Sequence, residues 1–421
     1  MIKRNIDTVS IVDDGRVDDT RVHVKEADAP VIPQKKKNCG ESASIKKGFD
    51  FFPEIKILRV VSDLYPYSIG GLGVHVHELS KEIVKRGHQV TVFTCEKHPK
   101  LYHNQVNGYN VYYFNTFMNT FGFSAPPSML TALFKKVDDF DIVHAHSHLF
   151  FSTHMAAFVR KFKKTPLIVT NHGFVSQRVP FTIQKIALPI VAKWTYSNAD
   201  AIICYTSEMK EEMENWGIRT ENVRIIHNGV NTEFFRPLNN NDKEYDIIWV
   251  GRYVPGKGIE FLIQSLSELK KEFKDFKVLM IGSGPLKKSI EEMVIKSNLT
   301  NHITFIEKIS NDDLLYYYNK SKLFVLTSIE EGVPRTILEA MACGLPVVCS
   351  DLPQLKTLID GSGILVPKKD GISIANAIMK ILNDDKFYER LSMNARQKII
   401  TKYSWEDTVT KTIQLYEELI T

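Results

Sequence analysis

The stretch 331–346, EGVPRTILEAMACGLP, constrains the fold more than any other part of the chain. The spacing of its apolar residues predicts a helix from Thr336 to Cys343, and Gly344 is the residue type that ends helices. Glu331 is therefore expected in a loop just before the helix, and Glu339 within it. Unpaired backbone N–H groups at the start of such a helix attract phosphate. Together these features predict a diphosphate site with two acceptors for sugar hydroxyls.

A structural interpretation of the same stretch stays open. Two glutamates at this spacing are common in proteins, and a buried helix with two solvated glutamates would show the same pattern. The choice between the two depends on the other motifs of the chain.

Length and composition point to a globular protein of two domains. A chain of 421 residues is long enough for two substantial cores. Hydrophobic residues make up 43% of it and charged residues 24%, which is typical of soluble proteins. The net charge of +5 permits a basic face toward anionic lipid or phosphate without requiring one. No nucleic-acid partner is expected.

Cysteine usage and hydropathy predict a cytoplasmic protein. The five cysteines are scattered and contain no C-x-x-C pair, so neither a zinc site nor a disulfide framework is expected. No run reaches the ~18 apolar residues needed to span a bilayer. Charged residues interrupt the N-terminal stretch, so no signal peptide is predicted. Contact with a membrane would then be peripheral, at its cytoplasmic face.

Residues 1–52 are polar, mixed in charge and poor in aromatic side chains. This composition predicts a disordered tail. The run Lys35-Lys36-Lys37 also permits a basic tether to anionic lipid, and both interpretations stay open.

The ordered chain is expected to begin with a β-α-β unit. A strand over Ile55 to Ser62 is followed by the glycine-rich run 70–73, a helix from Val74 to Arg86 and a strand from His88 to Thr94. Open α/β sheets bind ligands at the carboxyl ends of their strands, and glycines let the backbone approach a phosphate or sugar closely. The G-x-G-x-x-G pattern of dinucleotide-binding proteins is absent.

Two further stretches each allow two interpretations. The run from Asn115 to Lys136 is apolar and aromatic, which fits either a core helix or an interfacial membrane anchor. His144, His146 and His148 alternate at the end of a predicted strand, which would place all three on one face. A metal site is not favoured there, because no carboxylate or cysteine accompanies them at ligand spacing.

The second half of the chain begins after an Asn-rich linker, Pro237 to Glu244. A strand over Asp246 to Val250 leads into the glycine-containing loop 251–258, which carries Arg252 and Lys257. A basic loop between a strand and a helix N-terminus is typical of a diphosphate cradle. The alternative is two solvated basic residues, and in both cases the two side chains are expected to be exposed.

The run from Ser328 to Val348, S-x-x-E-G-x-P-x-x-x-L-E-A-M-A-C-G-x-P-V-V, resembles the donor-binding signature of retaining GT-B glycosyltransferases, most closely those of family 4. The resemblance implies an α/β protein with two Rossmann-like parallel-sheet domains facing a cleft. The implied acceptor-side domain is 53–238 with a C-terminal helix, 405–421, that crosses back to it. The implied nucleotide-sugar domain is 239–404.

The resemblance also implies roles for individual residues. Arg252 and Lys257 would neutralise the diphosphate, Glu339 would accept from the ribose and Glu331 from the hexose, and the T-x-H-G histidine, His172, would close the first-domain side. The implied catalytic residues are Arg252, Lys257, Glu331 and His172. The implied donor-binding residues are Gly70, Gly71, Arg252, Lys257, Gly282, Glu331, Gly332, Val333 and Glu339.

Two positions qualify the match. His75 follows Gly70-Gly71 as in the family's first-domain loop, but it also fits a surface histidine on a first helical turn. Asn228-Gly229-Val230-Asn231 has Asn where the family's N-G-V-D motif has Asp.

The implied reaction is transfer of a hexosyl unit from a UDP- or GDP-linked sugar, with retention and without a cofactor or metal ion. Similarity to the GlcNAc transferases and mannosyltransferases of the family implies a lipid-linked or glycan acceptor. A non-catalytic nucleotide-sugar-binding subunit of the same fold is the main alternative, and a GT-B phosphorylase or epimerase is a further one. A decayed subunit usually loses one of its binding residues, whereas Glu331, Glu339, Arg252 and Lys257 are all present.

Overall fold

The computed structural model describes residues 53–65, 71–96, 102–116, 119–120, 123–124, 126–174, 181–238, 242–307 and 309–421. The predicted tail, Gly70 and linker residues 239–241 lie outside these ranges.

The first sheet has eight strands within the described residues, in the order β10-β9-β8-β7-β1-β2-β4-β3. All neighbouring strands are parallel except the edge strand β3. The first ten strands of the chain are β1 (Lys56–Val61), β2 (Gln89–Glu96), β3 (Tyr102–Val106), β4 (Tyr109–Asn115), β5 (Asn119–Thr120), β6 (Phe123–Ser124), β7 (Ile142–His146), β8 (Leu167–Thr170), β9 (Ala201–Cys204) and β10 (Val223–Ile225). Strands β5 and β6, with two residues each, form a separate hairpin.

In the described part of this domain, five helices connect the strands: α1 (Gly71–Lys85), α2 (Pro127–Lys136), α3 (Phe151–Arg160), α4 (Phe181–Ser197) and α5 (Ser207–Asn215). Helix α1 begins at Gly71 rather than at Val74, so the end of the glycine run is its first turn. A strand over Tyr109 to Phe114 was predicted, but its edge partner β3 was missed, although Asn107-Gly108 between β3 and β4 has positive φ at both residues, as a tight hairpin turn requires.

The second sheet is wholly parallel, in the order β13-β12-β11-β14-β15-β16. Its strands are β11 (Tyr245–Val250), β12 (Val278–Ile281), β13 (Ile303–Ile306), β14 (Ser321–Leu326), β15 (Val347–Ser350) and β16 (Gly363–Val366). Its helices are α6 (Ile259–Glu272), α7 (Lys287–Lys296), α8 (Asn311–Asn319), α9 (Arg335–Ala342), α10 (Lys356–Ile359), α11 (Gly371–Leu382) and α12 (Asp385–Lys402).

Both sheets reverse their strand order beside the first strand, at β1/β7 and at β11/β14. Crevices at such switch points are where doubly wound sheets bind ligands. The implied GT-B architecture of two parallel-sheet domains is therefore confirmed.

The last helix, α13 (Trp405–Ile420), returns to the first domain as expected. The backbone N–H of Trp405 donates to the carbonyl of Val230 (2.9 Å), and Tyr416 is buried among side chains of the first sheet. Gly229 permits this approach, because a Cβ there would lie 2.4 Å from the Thr408 hydroxyl.

Helix α2 corrects the membrane-anchor interpretation of 115–136. Met129 and Leu133 are buried in the core of the first domain, so these two side chains are not available to lipid. Phe117, Met118 and Phe121 lie outside the described residues. None of the helices in the described part of the chain combines the length and apolar character needed to cross a bilayer.

Candidate active site

The two domains meet through backbone at the cleft. The loop after β8, with His172 and Gly173, faces Gly332 in the loop after β14. A Cβ on Gly332 would lie 2.2 Å from the carbonyl oxygen of His172, and Gly173 has a φ of +139°. Only glycine fits either position, because L-residues avoid such a φ and a side chain at 332 would collide with backbone.

Lys257 and Glu331 form an ion pair on the second-domain side of the cleft. The hydroxyl of Ser328 donates to the same Glu331 carboxylate (2.8 Å), and Gln354 donates to its backbone carbonyl. Arg252 is exposed as expected, but Lys257 is not, since only 13% of its side chain is accessible. The expectation was wrong for Lys257 because the backbone N–H of Ile329 bonds the carbonyl of Gly256 and folds the two loops together.

Gly282 has a packing reason to be glycine. Its φ is +153°, and a Cβ there would lie 1.8 Å from the carbonyl oxygen of Gly251. It brings the end of β12 against the start of the basic loop. Its implied contact with the donor stays a prediction.

Glu339 is buried in α9 with a residue exposure of 3%. The Tyr318 hydroxyl donates to one carboxylate oxygen (3.2 Å), and Arg335 lies 3.6 Å from the other. Burial raises the pKa of Glu339, while the charge of Arg335 opposes that rise. A carboxylate has about four acceptor positions, so capacity for further hydrogen-bond donors remains. The carbonyl of Val333, just before this helix, accepts from Asn228 (3.4 Å).

Arg335 is a site residue that the sequence analysis missed. It is the first residue of α9 and lies over the Trp405 ring, with 5.7 Å from its guanidinium carbon to the ring centroid. Its Nη1 is buried and has no hydrogen-bond partner among the described residues. A cation in the first turn opposes the helix dipole, and this unfavourable placement was a sequence signal for anion binding. Gly71 lies near Arg335: a Cβ added at Gly71 would be 4.0 Å from the Cδ atom of the Arg335 side chain.

His75 is buried in the cleft rather than exposed at the surface. Its Nδ1 lies 3.0 Å from Asn228 Oδ1. The edge of its ring faces His172 at 5.3 Å and Trp405 at 5.4 Å between centroids. The surface interpretation of His75 is therefore wrong.

The three alternating histidines do not share one face. Strand β7 ends at His146, and Ser147 has a φ of +67°, which turns the chain. His144 and His146 stack with centroids 4.3 Å apart, whereas His148 bonds the Tyr196 hydroxyl (2.8 Å). The period-two prediction failed because the strand ends at His146, too early to include His148.

Comparison with known proteins gives two family matches, which overlap at residues 230–234. Residues 69–234 match the model described as Glycosyltransferase Family 4, and residues 230–398 match Glycosyl transferases group 1. The chain belongs to glycosyltransferase family 4.

Relatives of this glycosyltransferase cover most of its length. An uncharacterized glycosyltransferase of Methanocaldococcus jannaschii is 27% identical, and the match covers 86% of this chain and 98% of the relative. A glycogen synthase of Mycobacterium tuberculosis is 25% identical, and the match covers 86% of this chain and 94% of the synthase. The GPI3 subunit of phosphatidylinositol N-acetylglucosaminyltransferase from Saccharomyces cerevisiae is 20% identical, with 86% and 83% covered.

Solved structures share the fold. Sucrose-phosphate synthase from Thermosynechococcus elongatus superposes with a TM-score of 0.74 at 23% identity, covering 87% of this chain and 99% of its own. Anabaena HepE in complex with UDP and glucose superposes with a TM-score of 0.71 at 17% identity, covering 87% and 100%.

The cleft histidines of the glycosyltransferase are held neutral. Burial lowers the pKa of His172 to about 3. Burial, followed by the charges of neighbouring groups, lowers the pKa values of His75 and His146 well below 6.5. Each ring therefore carries one proton at neutral pH and cannot serve as a cationic acid there.

His75, His146 and His172 also form a group that could hold a metal ion. One nitrogen of each ring lies within 4.8 Å of the others, in the part of the chain that the structure describes. The fully buried guanidinium of Arg59 lies 3.2 Å from His146 Nε2 and opposes a second cation beside it. We therefore propose no metal site at this cluster, which the sequence analysis did not consider.

The buried histidines predict loss of stability in acid. Their folded-state pKa values lie below the unfolded value of about 6.5, so the unfolded chain takes up protons that the folded chain excludes. Stability should fall as pH drops from 6.5 toward 3, by about 1.4 kcal/mol per pH unit for each such histidine. His148, whose pKa burial lowers to about 3, offers the test. Thermal unfolding of His148→Asn should depend less on pH between 7 and 5 than that of the wild type. An unchanged slope would contradict this prediction.

Proposed function

We propose that this glycosyltransferase moves a hexosyl unit from a nucleoside diphosphate sugar, UDP- or GDP-linked, to a hydroxyl acceptor with retention of configuration. The observation that carries the proposal is the contrast across the cleft. The second domain presents the Lys257–Glu331 pair and the N-terminus of α9 with Arg335. The first domain presents the neutral imidazoles of His75 and His172.

This contrast suits the charges of the reaction. The departing diphosphate gains negative charge, which preorganised cations and backbone N–H groups stabilise. The sugar ring gains positive charge, which a neutral imidazole tolerates and an imidazolium would repel. The HepE structure, described as a complex with UDP and glucose, supports a nucleotide sugar as donor.

No side chain is proposed as a covalent nucleophile. Glu331 is the carboxylate beside the proposed hexose position, and its Oε1 already accepts from Lys257 and Ser328. We propose that the acceptor attacks from the face of the departing group. The acceptor hydroxyl then gives its proton to the leaving phosphate oxygen as the new glycosidic bond forms and the bond to phosphate breaks.

A non-catalytic nucleotide-sugar-binding subunit remains the second candidate. The same cleft would bind the donor without turning it over. Incubation with labelled nucleotide sugars and a membrane extract separates the two, because only an enzyme transfers label to an acceptor.

The proposed acceptor is a lipid-linked or glycan hydroxyl, reached at the cytoplasmic face of an anionic membrane. The support is an aromatic surface, defined here as Phe134, Phe158 and Phe162. Phe158 is 40% exposed and Phe162 63% exposed. The three rings contact one another, with centroids 5.2–6.1 Å apart. Clustered exposed aromatic side chains mark interaction sites.

Helix α3 carries Phe158 of this surface, and Phe162 follows just after the end of the helix. The buried face of α3 holds apolar side chains such as Met155, Ala156 and Val159, while Phe151 and Phe158 are exposed on its outer face. The outer face of a surface helix is normally polar, so the two exposed phenylalanines depart from that rule. Exposed lysines border the aromatic surface at positions 135, 136, 161 and 164, which suits an anionic bilayer.

The basic residues of the cleft give the first functional prediction. Lys257→Ala should lower turnover by on the order of 10²–10³-fold, as loss of a preorganised charge partner can, and Arg252→Ala should act in the same direction. Lys257→Ala should also cost about 1–3 kcal/mol of stability, because Glu331 loses its partner. Lys322→Ala is the matched control, since Lys322 pairs with Asp246 at the amino ends of β14 and β11, the opposite edge of the same sheet. If both cleft variants turn over at the rate of the control variant, the proposed binding of the diphosphate by these residues is wrong.

The second functional prediction is that the transfer reaction needs no metal ion. The basic side chains and the α9 N-terminus supply the positive charge that a divalent ion supplies elsewhere. Transfer activity should therefore survive EDTA. Loss of activity that Mg²⁺ or Mn²⁺ restores would show that a metal takes part.

The third functional prediction is that the protein binds anionic membranes through the aromatic surface. Wild-type protein should float with vesicles of equal parts phosphatidylcholine and phosphatidylglycerol, and less so as salt rises. Phe158→Ser with Phe162→Ser should abolish flotation. The control replaces Ile372 and Met393, which are 56% and 67% exposed on the second domain, by Ser. If the wild type does not bind and instead forms dimers that the Phe variants dissolve, the aromatic surface is a subunit interface.

A further inference from the structure

Arg59 is a buried cation that the proposed reaction does not use. It lies in β1, between β7 and β2, and its side chain has no exposed surface. The groups that favour its charged form are the hydroxyls of Tyr416, Tyr109 and Tyr205, and no carboxylate within the described residues forms an ion pair with it. Its Nε has no hydrogen-bond partner among the described residues. Such burial is costly, so its retention calls for a reason.

The hydrogen bond from Arg59 determines where His146 carries its proton. A guanidinium only donates hydrogen bonds. Since Arg59 Nη1 lies 3.2 Å from His146 Nε2, that nitrogen must present its lone pair. Burial and neighbouring charges, including that of Arg59, keep the pKa of His146 low, so the ring is neutral. The single proton of His146 is therefore on Nδ1.

The position of the proton on His146 in turn determines where His172 carries its proton. His146 Nδ1 lies 3.2 Å from His172 Nε2, so the Nδ1–H of His146 donates to the lone pair of His172. The neutral ring of His172 then carries its own proton on Nδ1, which lies 3.0 Å from the Tyr205 hydroxyl. Both histidines adopt the Nδ1–H tautomer as a consequence of one buried cation.

A second series of hydrogen bonds from Arg59 gives His144 the opposite tautomer, with its proton on Nε2. Arg59 Nη2 donates to the Tyr416 hydroxyl (2.9 Å), so Tyr416 directs its own proton to His144 Nδ1 (2.6 Å). His144 is left with its proton on Nε2, which donates to the Thr170 hydroxyl (2.7 Å). Because Tyr416 belongs to α13, the terminal helix is part of this network.

We propose that Arg59 is a positioning residue that fixes the tautomers and ring orientations of His146 and His172 from within the core. Its effect on catalysis rests on the proposed function, in which His172 faces the donor sugar. With its Nε2 lone pair committed to His146, His172 offers no base to the cleft. Its backbone carbonyl stays against Gly332, where the two domains meet.

The test is a direct reading of the tautomers by NMR of protein labelled with ¹³C and ¹⁵N in histidine. The resting wild type should show Nδ1–H signals for His146 and His172 and an Nε2–H signal for His144. Arg59→Met should move His146 and His172 toward the Nε2–H form, and Arg59→Lys, which keeps a buried donor, should restore them in part. Turnover of Arg59→Met should fall by about 10- to 100-fold with little change in donor KM, as for a misplaced catalytic group.

Controls separate this network from general loss of packing. Tyr196→Phe removes another buried Tyr–His hydrogen bond, to His148, and should leave the three signals unchanged. If Arg59→Met does not fold, Tyr416→Phe should still alter the His144 signal alone among the three. An Nε2–H signal from His146 in the wild type would overturn the proposal. So would a tautomer change in Arg59→Met without loss of turnover. Absence of transferase activity in the wild type would overturn the proposed function but not the tautomer assignment.

Discussion

The contact between the carbonyl of His172 and the backbone of Gly332 sets the geometry of the cleft. A Cβ at position 332 would lie 2.2 Å from that oxygen, so the loops can approach this closely only without a side chain. The contact brings the carboxyl end of β8 against that of β14. The Lys257–Glu331 pair and the histidines therefore face the same space, although they belong to separate sheets.

The two walls of that space differ in charge for physical reasons. On the second-domain side, Lys257 lies just before the N-terminus of α6 and Arg335 is the first residue of α9, and positive partial charge accumulates at both helix ends. On the first-domain side, burial keeps the histidines neutral, and the only buried cation, among the described residues there, is Arg59 behind them. An anion such as a diphosphate is thus favoured on one wall, and an uncharged or developing cationic group is tolerated on the other.

Local sequence predicted much of this arrangement. Helix α9 spans Arg335–Ala342, within one residue of the helix expected from the apolar spacing, and α13 begins at the predicted Trp405. Burial was harder to predict than secondary structure. Lys257 was expected at the surface, and the core and membrane interpretations of Met129 both stayed open, because charge and amphipathic pattern do not reveal which neighbours a folded chain supplies.

The sequence by itself determined the family, the two parallel sheets and the loops that carry the signature residues, because these depend on periodicity and on glycine and proline at fixed spacings. Only the tertiary structure decided how Arg59, Tyr416 and the cleft histidines join in one network. Tyr416 is 357 positions from Arg59 along the chain, and its hydroxyl lies 2.9 Å away. No local pattern encodes such a pair, since the hydrogen bond exists only once α13 has packed back against the first sheet.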